Sequence, residues 1–537
     1  MASQTYDHSE FVSLRYYLGT YGCAGSTARY SYYAMSGTPN MMFNGTYRIV
    51  GASIADMQGG QYMDVIRSRY FDPAPVRIVI DSFNPATGAV SATVTMYSAT
   101  DTFDGAEDKF HFILIEDDVN PSDPEETHVT RAMISNPISL DGAGNTATFN
   151  ETFTIDPGWD QAKLQVVALV QRQNKEVVQT GSSYDQPGFS IRAMVPFVRN
   201  IIGPSGGSYS SDDVTIMNVG QTETFTISLV IDEAPPGWTA TFSDSVGTPH
   251  TAPLAFGLTE QESTTFTVNV TPASPGFMRY HLVVTSGNLA KDLEIPFVYN
   301  TDDVDALLVD DDGGNDYEGY FITALADAGL TSGYWNLSFS KLNDDVAASI
   351  RTLIWNVGLG YPTLDATDRT FVEQHLDNGY DLFITGQDIG WDLVSGQSDN
   401  TDVAFYEGYL HADYIRDDVN KYDVDGVADD PVSDGLNLHI QGGDGANNQE
   451  YPSQIAPKDS DAVEIFSYNG TAWGAGIRSV DSVSGAKIVY LAFGYEAIDN
   501  ADDRADLMKS AIYWLKDILF KNGFESGDTS GWSNETP

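Results

Sequence analysis

The spacing of hydrophobic and polar positions changes twice along the chain. Between about 75 and 300, apolar and polar residues alternate in short runs such as Val76-Arg77-Ile78-Val79-Ile80, Phe225-Thr226-Ile227-Ser228-Leu229 and Phe266-Thr267-Val268-Asn269-Val270. Phe110 to Ile115 and Leu164 to Val170 belong to the same set. A period of two puts alternate side chains on one face of a strand. Gly, Pro and Asp turns separate the runs, and no helical stretch intervenes. This pattern predicts two antiparallel β-sandwiches, 75–200 and 201–303, divided by the loop Gly203-Pro204-Ser205-Gly206-Gly207.

From 304 the period changes. Apolar strands at Val304–Val309, Leu353–Trp355, Tyr380–Thr385 and Ala486–Phe493 alternate with helical patterns at Asp316–Ala328, Asp365–Leu376 and Asp502–Leu519. In the last of these, Leu507, Met508, Ala511, Ile512 and Leu515 share one stripe. Alternating strands and helices predict a doubly wound α/β domain with a parallel sheet over 304–519. A Gly/Asp-rich insertion fills 391–480. Residues 1–74 hold a strand-like run, Phe11 to Leu18, a tyrosine-rich stretch, and a strand framed by Thr38-Pro39 and Asn44-Gly45. Residues 520–537 form a polar tail.

Composition narrows the partners. The 27 Lys and Arg stand against 76 Asp and Glu, a net charge of -49. Such a field repels phosphate backbones and anionic lipid, which argues against nucleic acid and membrane surfaces as partners. Hydrophobic residues make up 42%, enough for folded cores. No run reaches the roughly 20 apolar residues of a membrane span, and no signal peptide begins at Met1. With Cys23 as the only cysteine, an intrachain disulfide cannot form and Cys-based zinc sites are excluded. The eight histidines show no His-Glu-x-x-His, and there is no Walker loop or dinucleotide fingerprint. No nucleotide or redox cofactor is expected.

Several segments carry resemblances. Ala28-Arg29-Tyr30-Ser31-Tyr32-Tyr33 followed by Gly37-Thr38-Pro39 resembles the second half of thioredoxin-like domains in secreted and outer-membrane bacterial proteins. The resemblance implies a cis-Pro at Pro39 and a missing first half that would carry the Cys-x-x-Cys; Cys23 matches neither redox cysteine. Pro235-Pro236-Gly237-Trp238 is similar to the Pro-Gly-Trp turn of bacterial immunoglobulin-like or fibronectin-type modules, and the tail resembles those that end many secreted bacterial proteins. The region 304–519 resembles flavodoxin-like, class I glutamine-amidotransferase-like domains, as found in accessory regions of secreted peptidases. In Gly386-Gln387-Asp388-Ile389-Gly390, Asp388 stands where that family has its nucleophilic Cys. Gly494 stands where the His should be, and only Glu496 matches.

Ligands of open α/β sheets bind beyond the carboxyl ends of the strands. That rule selects Asp310, Asp311, Asp312, Asn356, Gly386, Gln387 and Tyr495 as a binding crevice, with Asp388 and Glu496 as the candidate catalytic pair. An enzyme would need these two carboxyls to approach each other. Two acidic clusters offer hard oxygen ligands suited to Ca²⁺: Asp310, Asp311, Asp312, Asp316 and Glu318, and, around Gly426, Asp423, Asp425, Asp429 and Asp430. The expectation is a non-catalytic, extracellular or cell-surface module array for binding, adhesion or spacing, whose partner is an extracellular protein or glycan. The alternatives are a secreted hydrolase using the carboxylate pair and a structural subunit assembling through sheet edges.

Overall fold

The computed structural model describes residues 11–18, 22–35, 40–50, 62, 65–66, 69–119, 127–184, 188–195, 199–395 and 400–518. It is a multidomain α/β protein with several distinct antiparallel and mixed sheets. Pro39, the start at Met1 and the tail lie outside the described residues.

At the N-terminal end, helix Ala24–Tyr32 and a hairpin of Asn40–Phe43 with Tyr47–Val50 are seen. The hairpin turns where Asn-Gly was expected, with Asn44 and Gly45 both at positive φ (44° and 74°). A Cβ on Gly45 would lie 2.0 Å from the Lys175 carbonyl oxygen, so only glycine fits. The run Phe11–Leu18 is not a regular strand; it makes a single parallel bridge, Arg15 to Val129. Arg29 is buried and its Nη1 donates to Gln171 Oε1 (2.7 Å), docking the helix on the next unit.

That unit faces a three-stranded sheet (Val76–Asn84, Ala89–Met96, Thr146–Thr152) against a four-stranded one (Lys109–Glu116, Val129–Pro137, Leu164–Gln171, Val177–Ser182). Phe110, Phe112 and Leu114 fill the space between the sheets with Val94 and Val166. Ile113 and Ile115 point the other way and pack under Val12 and Leu14. Both faces of this strand are therefore covered, which is why Phe110 to Ile115 is apolar at every position but His111 instead of alternating strictly as expected.

A second pair of sheets follows, antiparallel except where Asn200–Gly203 runs parallel to Leu293–Thr301, and its boundary differs from the expected one. Strand Ile191–Met194 already pairs with Val214–Asn218. The loop 203–207 joins Asn200–Gly203 to Tyr209–Ser210 within this unit and divides nothing. Trp238 is buried at its Pro-Gly-Trp turn, where Gly237 has φ +88°.

In the C-terminal unit the strands are β1 (Ala306–Asp310), β2 (Ser332–Asn336), β3 (Thr352–Gly358), β4 (Asp381–Gly386), β5 (Ala412–Arg416), β6 (Asp423–Gly426), β7 (Asn437–His439), β8 (Gln454–Pro457), β9 (Ala462–Tyr468), β10 (Gly474–Val480) and β11 (Lys487–Leu491). Their order is β2-β1-β3-β4-β11-β10-β9-β6-β7, with the first five parallel. The insertion is thus largely an antiparallel extension of the same sheet. Helices α1 (Glu318–Asp327) and α3 (Ala501–Leu515) cover one face, and α2 (Ala366–Asp377) covers the other. Asp365 caps α2 by accepting from the Thr367 and Asp368 amides.

The unit is fastened to its neighbour through side-chain amides. Asn300 Oδ1 accepts from the Tyr334 amide (2.6 Å), and Asn200 Nδ2 donates to the Asn336 carbonyl (2.7 Å). Edge strand β2 is covered in this way. Arg279 adds an ion pair to Glu318 (2.7 Å). Among the described residues no helix is long and apolar enough to cross a membrane.

Candidate functional site

The order 2-1-3 at one end of the parallel sheet makes the carboxyl edge of β1 and β3 a topological switch point, where connections leave in opposite directions and a crevice opens. In register there, Asp310 aligns with Asn336 on one side and Asn356 on the other, and Asn356 aligns with Thr385. The strand period puts this polar row on the face carrying Leu308, Ile354 and Phe383, under α1 and α3. Asn356 is fully buried, and neither its amide oxygen nor its amide nitrogen has a hydrogen-bond partner among the described residues. Buried polar groups are nearly always paired, so such an amide calls for an explanation.

Around this row the carboxylates are held firmly. Asp310 Oδ2 accepts from the Tyr334 hydroxyl (2.6 Å) and Asn336 Nδ2 (3.2 Å). Asp312 is almost fully buried and accepts from the amides of Gly314 (3.1 Å) and Asn315 (2.8 Å). Burial, then the neighbouring Asp310, push its pKa up. Asp311 has its Oδ2 on the Trp355 indole (3.0 Å). The three aspartates border a cleft of about 540 Å³ whose wall includes Tyr47 of the N-terminal hairpin, Arg279 of the second sheet pair, Glu318 and Lys341. Burial, and after it Asp365, raises the Tyr47 hydroxyl to about 12. The N-terminal segment, the second sheet pair and the C-terminal unit all contribute to this cleft.

Gly386-Gln387-Asp388-Ile389-Gly390 does form a sharp strand-to-helix elbow. Asp388 is left-handed, with φ +62°. A Cβ at Gly386 would sit 2.6 Å from Val357 Cβ, and one at Gly390 2.6 Å from Tyr414 Cδ2. Burial first, and the like charges of Asp417, Asp392 and Asp418 after it, raise the pKa of Asp388 to about 8. Gln387 is a brace rather than a crevice ligand: its Oε1 accepts from the amides of Glu450 (2.6 Å) and Tyr451 (2.9 Å), and its Nε2 donates to the Asn448 carbonyl (3.0 Å).

Glu496 is fully buried, with Oε1 accepting from Asn448 Nδ2 (2.8 Å) and Oε2 unpaired among the described residues. Glu496 is thus held by Asn448, whereas the charge that most affects Asp388 is that of Asp417. Tyr495 is also displaced from the expected crevice: its ring packs 4.7 Å from Phe321 and its hydroxyl donates to the Arg504 carbonyl (2.6 Å), inside the core. Sequence reasoning missed Asp417, Asn448 and Gln449, which come from the insertion; Gln449 Oε1 accepts from the Gly494 amide (2.9 Å).

The four insertion aspartates do not gather. Asp423 accepts from His439 (2.7 Å), Asp425 from Asn469 (2.8 Å), and Asp430 is tied to Arg478 (2.8 Å), while the Asp429 amide donates to Asp434. The side chains of Asp423, Asp425 and Asp430 thus each have a partner of their own. Among the described residues, the group of His and acidic side chains able to hold a metal ion is His411, Asp461 and Asp481.

No family model and no curated protein matches the chain. Parts of it are similar to solved structures. The ASH/PapD-like domain of human CEP192 is 13% identical over 22% of this chain and 87% of its own, at a TM-score of 0.15. A conjugative transposon lipoprotein from Bacteroides eggerthii is 15% identical over 21% of this chain and 99% of its own, at 0.16. Escherichia coli alpha-2-macroglobulin activated by porcine elastase is 11% identical over 42% of this chain and 22% of its own, at 0.16. TM-scores this low carry no argument about function.

Proposed function

We propose that the chain is a non-catalytic, extracellular or cell-surface binding protein whose ligand enters the acid-lined cleft at the β1/β3 switch point. The observation that carries this reading is the acid-lined cleft itself, bordered by Asp310, Asp311, Asp312, Asp316 and Glu318. Behind it, Asp310 aligns in register with the unpartnered, fully buried amide of Asn356. The C-terminal unit is read as a degenerate amidotransferase-like domain, an assignment supported by its 2-1-3-4 strand order and its elbow. The two sheet pairs are read as immunoglobulin-like spacers and the N-terminal part as a thioredoxin-like remnant. A cleft bordered by this many carboxylates suits a cationic, hydrogen-bonding ligand, such as the Lys or Arg side chain of an extracellular protein. To test this, arrays of basic peptides, neutral peptides and glycans are probed with the full chain at physiological salt. The captured ligand should be lost in Asp316→Lys, an exposed charge reversal at the cleft, and kept in Asp213→Lys on the second sheet pair. Equal loss in both variants would reduce the binding to bulk charge and defeat the proposal.

A second reading has its own observation. The Asp388–Asp417 pair, with one carboxyl of raised pKa on a left-handed elbow, is an arrangement suited to acid/base hydrolysis. Hydrolysis in a substrate screen that disappears in Asp388→Asn would replace the binding proposal.

A further inference from the structure

Far from the cleft, at the amino ends of the parallel strands, two side chains from the insertion meet one that directly follows it. His411 immediately precedes β5, Asp461 precedes β9 and Asp481 follows β10. The hairpin after β10 returns into β11 at Lys487, whose amide donates to Asp381 Oδ1 at the start of β4 (3.0 Å). One ligand atom from each of the three lies within 4.8 Å of the others.

We propose that His411, Asp461 and Asp481 bind a first-row divalent transition metal ion, of which Zn²⁺ is the fitting probe, with Asp459 as a positioning residue. His411 is buried, at 4% exposure. Its Nδ1 lies 2.9 Å from Asp459 Oδ2, and a carboxylate there holds the proton on Nδ1. Nε2 is left with its lone pair and has no hydrogen-bond partner among the described residues. It points toward Asp481 Oδ2 at 3.5 Å. Two ligand atoms on a tetrahedral zinc, each about 2.0–2.1 Å from the ion, are roughly 3.3 Å apart. The gap is close to what an ion between them requires.

The carboxylates are already oriented. Asp461 Oδ2 accepts from the Ser482 amide (2.8 Å), and the Asp461 amide donates to Asp459 Oδ1 (2.9 Å). Asp481 Oδ1 accepts from the Val483 amide (3.0 Å) and the Ser484 hydroxyl (2.8 Å), which turns Oδ2 toward the imidazole. His411 is itself in a left-handed conformation, φ +52°, with its carbonyl fixed by the Lys458 amide (2.9 Å). A nitrogen ligand with two carboxylates selects zinc, manganese or cobalt over Ca²⁺ and Mg²⁺, which favour all-oxygen shells. Three protein ligands leave a position for solvent. The ion would tie β5, β9 and β10 together at the base of the extension.

The test uses the full chain, stripped with chelator and dialysed against Zn²⁺ in excess Ca²⁺ and Mg²⁺ that saturate unspecific carboxylates. One Zn²⁺ per chain should be retained, and Co²⁺ in its place should give visible ligand-field absorption. His411→Gln should abolish both. Asp461→Asn keeps an acceptor for Ser482 and should melt like the parent in chelator while binding Zn²⁺ at least ~10-fold more weakly. Equal retention by parent and Asp461→Asn, or displacement of the ion by Ca²⁺ and Mg²⁺, overturns the site. In that case the three groups form only a His–Asp ion-pair cluster.

Discussion

The Glu496 carboxylate occupies the space in which a side chain at Gly494 would begin: a Cβ there would lie 2.2 Å from Glu496 Oε1. The position that resembles an amidotransferase histidine is therefore filled by the neighbouring acid, itself held by Asn448 at 2.8 Å. Gly494→Ala should lose about 1–3 kcal/mol of stability through overpacking. Combining it with Glu496→Ala should cost less than the sum of the two single changes, because the second substitution clears the space the first one needs. Chemical denaturation of the four proteins checks this. Strict additivity would mean that the two positions do not compete for that space.

Asp388 gives a pH signature. Its folded pKa, about 8, lies above the ordinary value of a carboxyl. A native state that holds the proton more tightly than the unfolded chain loses stability as pH rises from the unfolded pKa through the folded one. Asn tolerates the left-handed backbone and has no charge to bury. Asp388→Asn should therefore melt near the parent at pH 5 and at least ~3 °C higher at pH 9. Melting scans across that range test the sign, and a gap that narrows with rising pH would contradict it.

Asn300 joins two units by a single side chain, accepting from the buried Tyr334 amide (2.6 Å) and donating to the Ile201 carbonyl (3.3 Å). Asn300→Ala leaves that amide without an acceptor and should cost about 1–3 kcal/mol. Hydrogen exchange should show the loss first at β2, with the Tyr334 amide exchanging faster. Unchanged protection there would separate the two units energetically.

Much of the C-terminal sheet was legible. Strands expected at Leu353–Trp355 and Tyr380–Thr385 lie within or beside Thr352–Gly358 and Asp381–Gly386, and the stripe of Leu507, Met508, Ala511, Ile512 and Leu515 is the buried face of α3. These segments bury apolar side chains on a regular period, and that period is a local property of the sequence. Strand β2 (Ser332–Asn336) carries a glycine, two aromatics and two polar residues, and its pairing depends on Asn200 and Asn300, which are far away in the chain. Strands β6 and β7 are short and polar for the same reason: the sheet recruits them. The site shows the same division. The elbow glycines around Asp388 announce a turn, whereas Asp417 and the partners of His411 come together only through the folded insertion, with no spacing to mark them.

Asn356 sits fully buried behind Asp310 of the cleft; if its amide is kept for binding at the expense of stability, thermal unfolding of Asn356→Val shows it without knowledge of the ligand. Valine suits a strand and removes two buried polar atoms that have no partner among the described residues. The variant should melt at least ~2 °C above the parent and lose the ligand that the parent captures. A melting temperature several degrees below the parent's would show that the amide serves the fold, and the binding account of the cleft would be wrong.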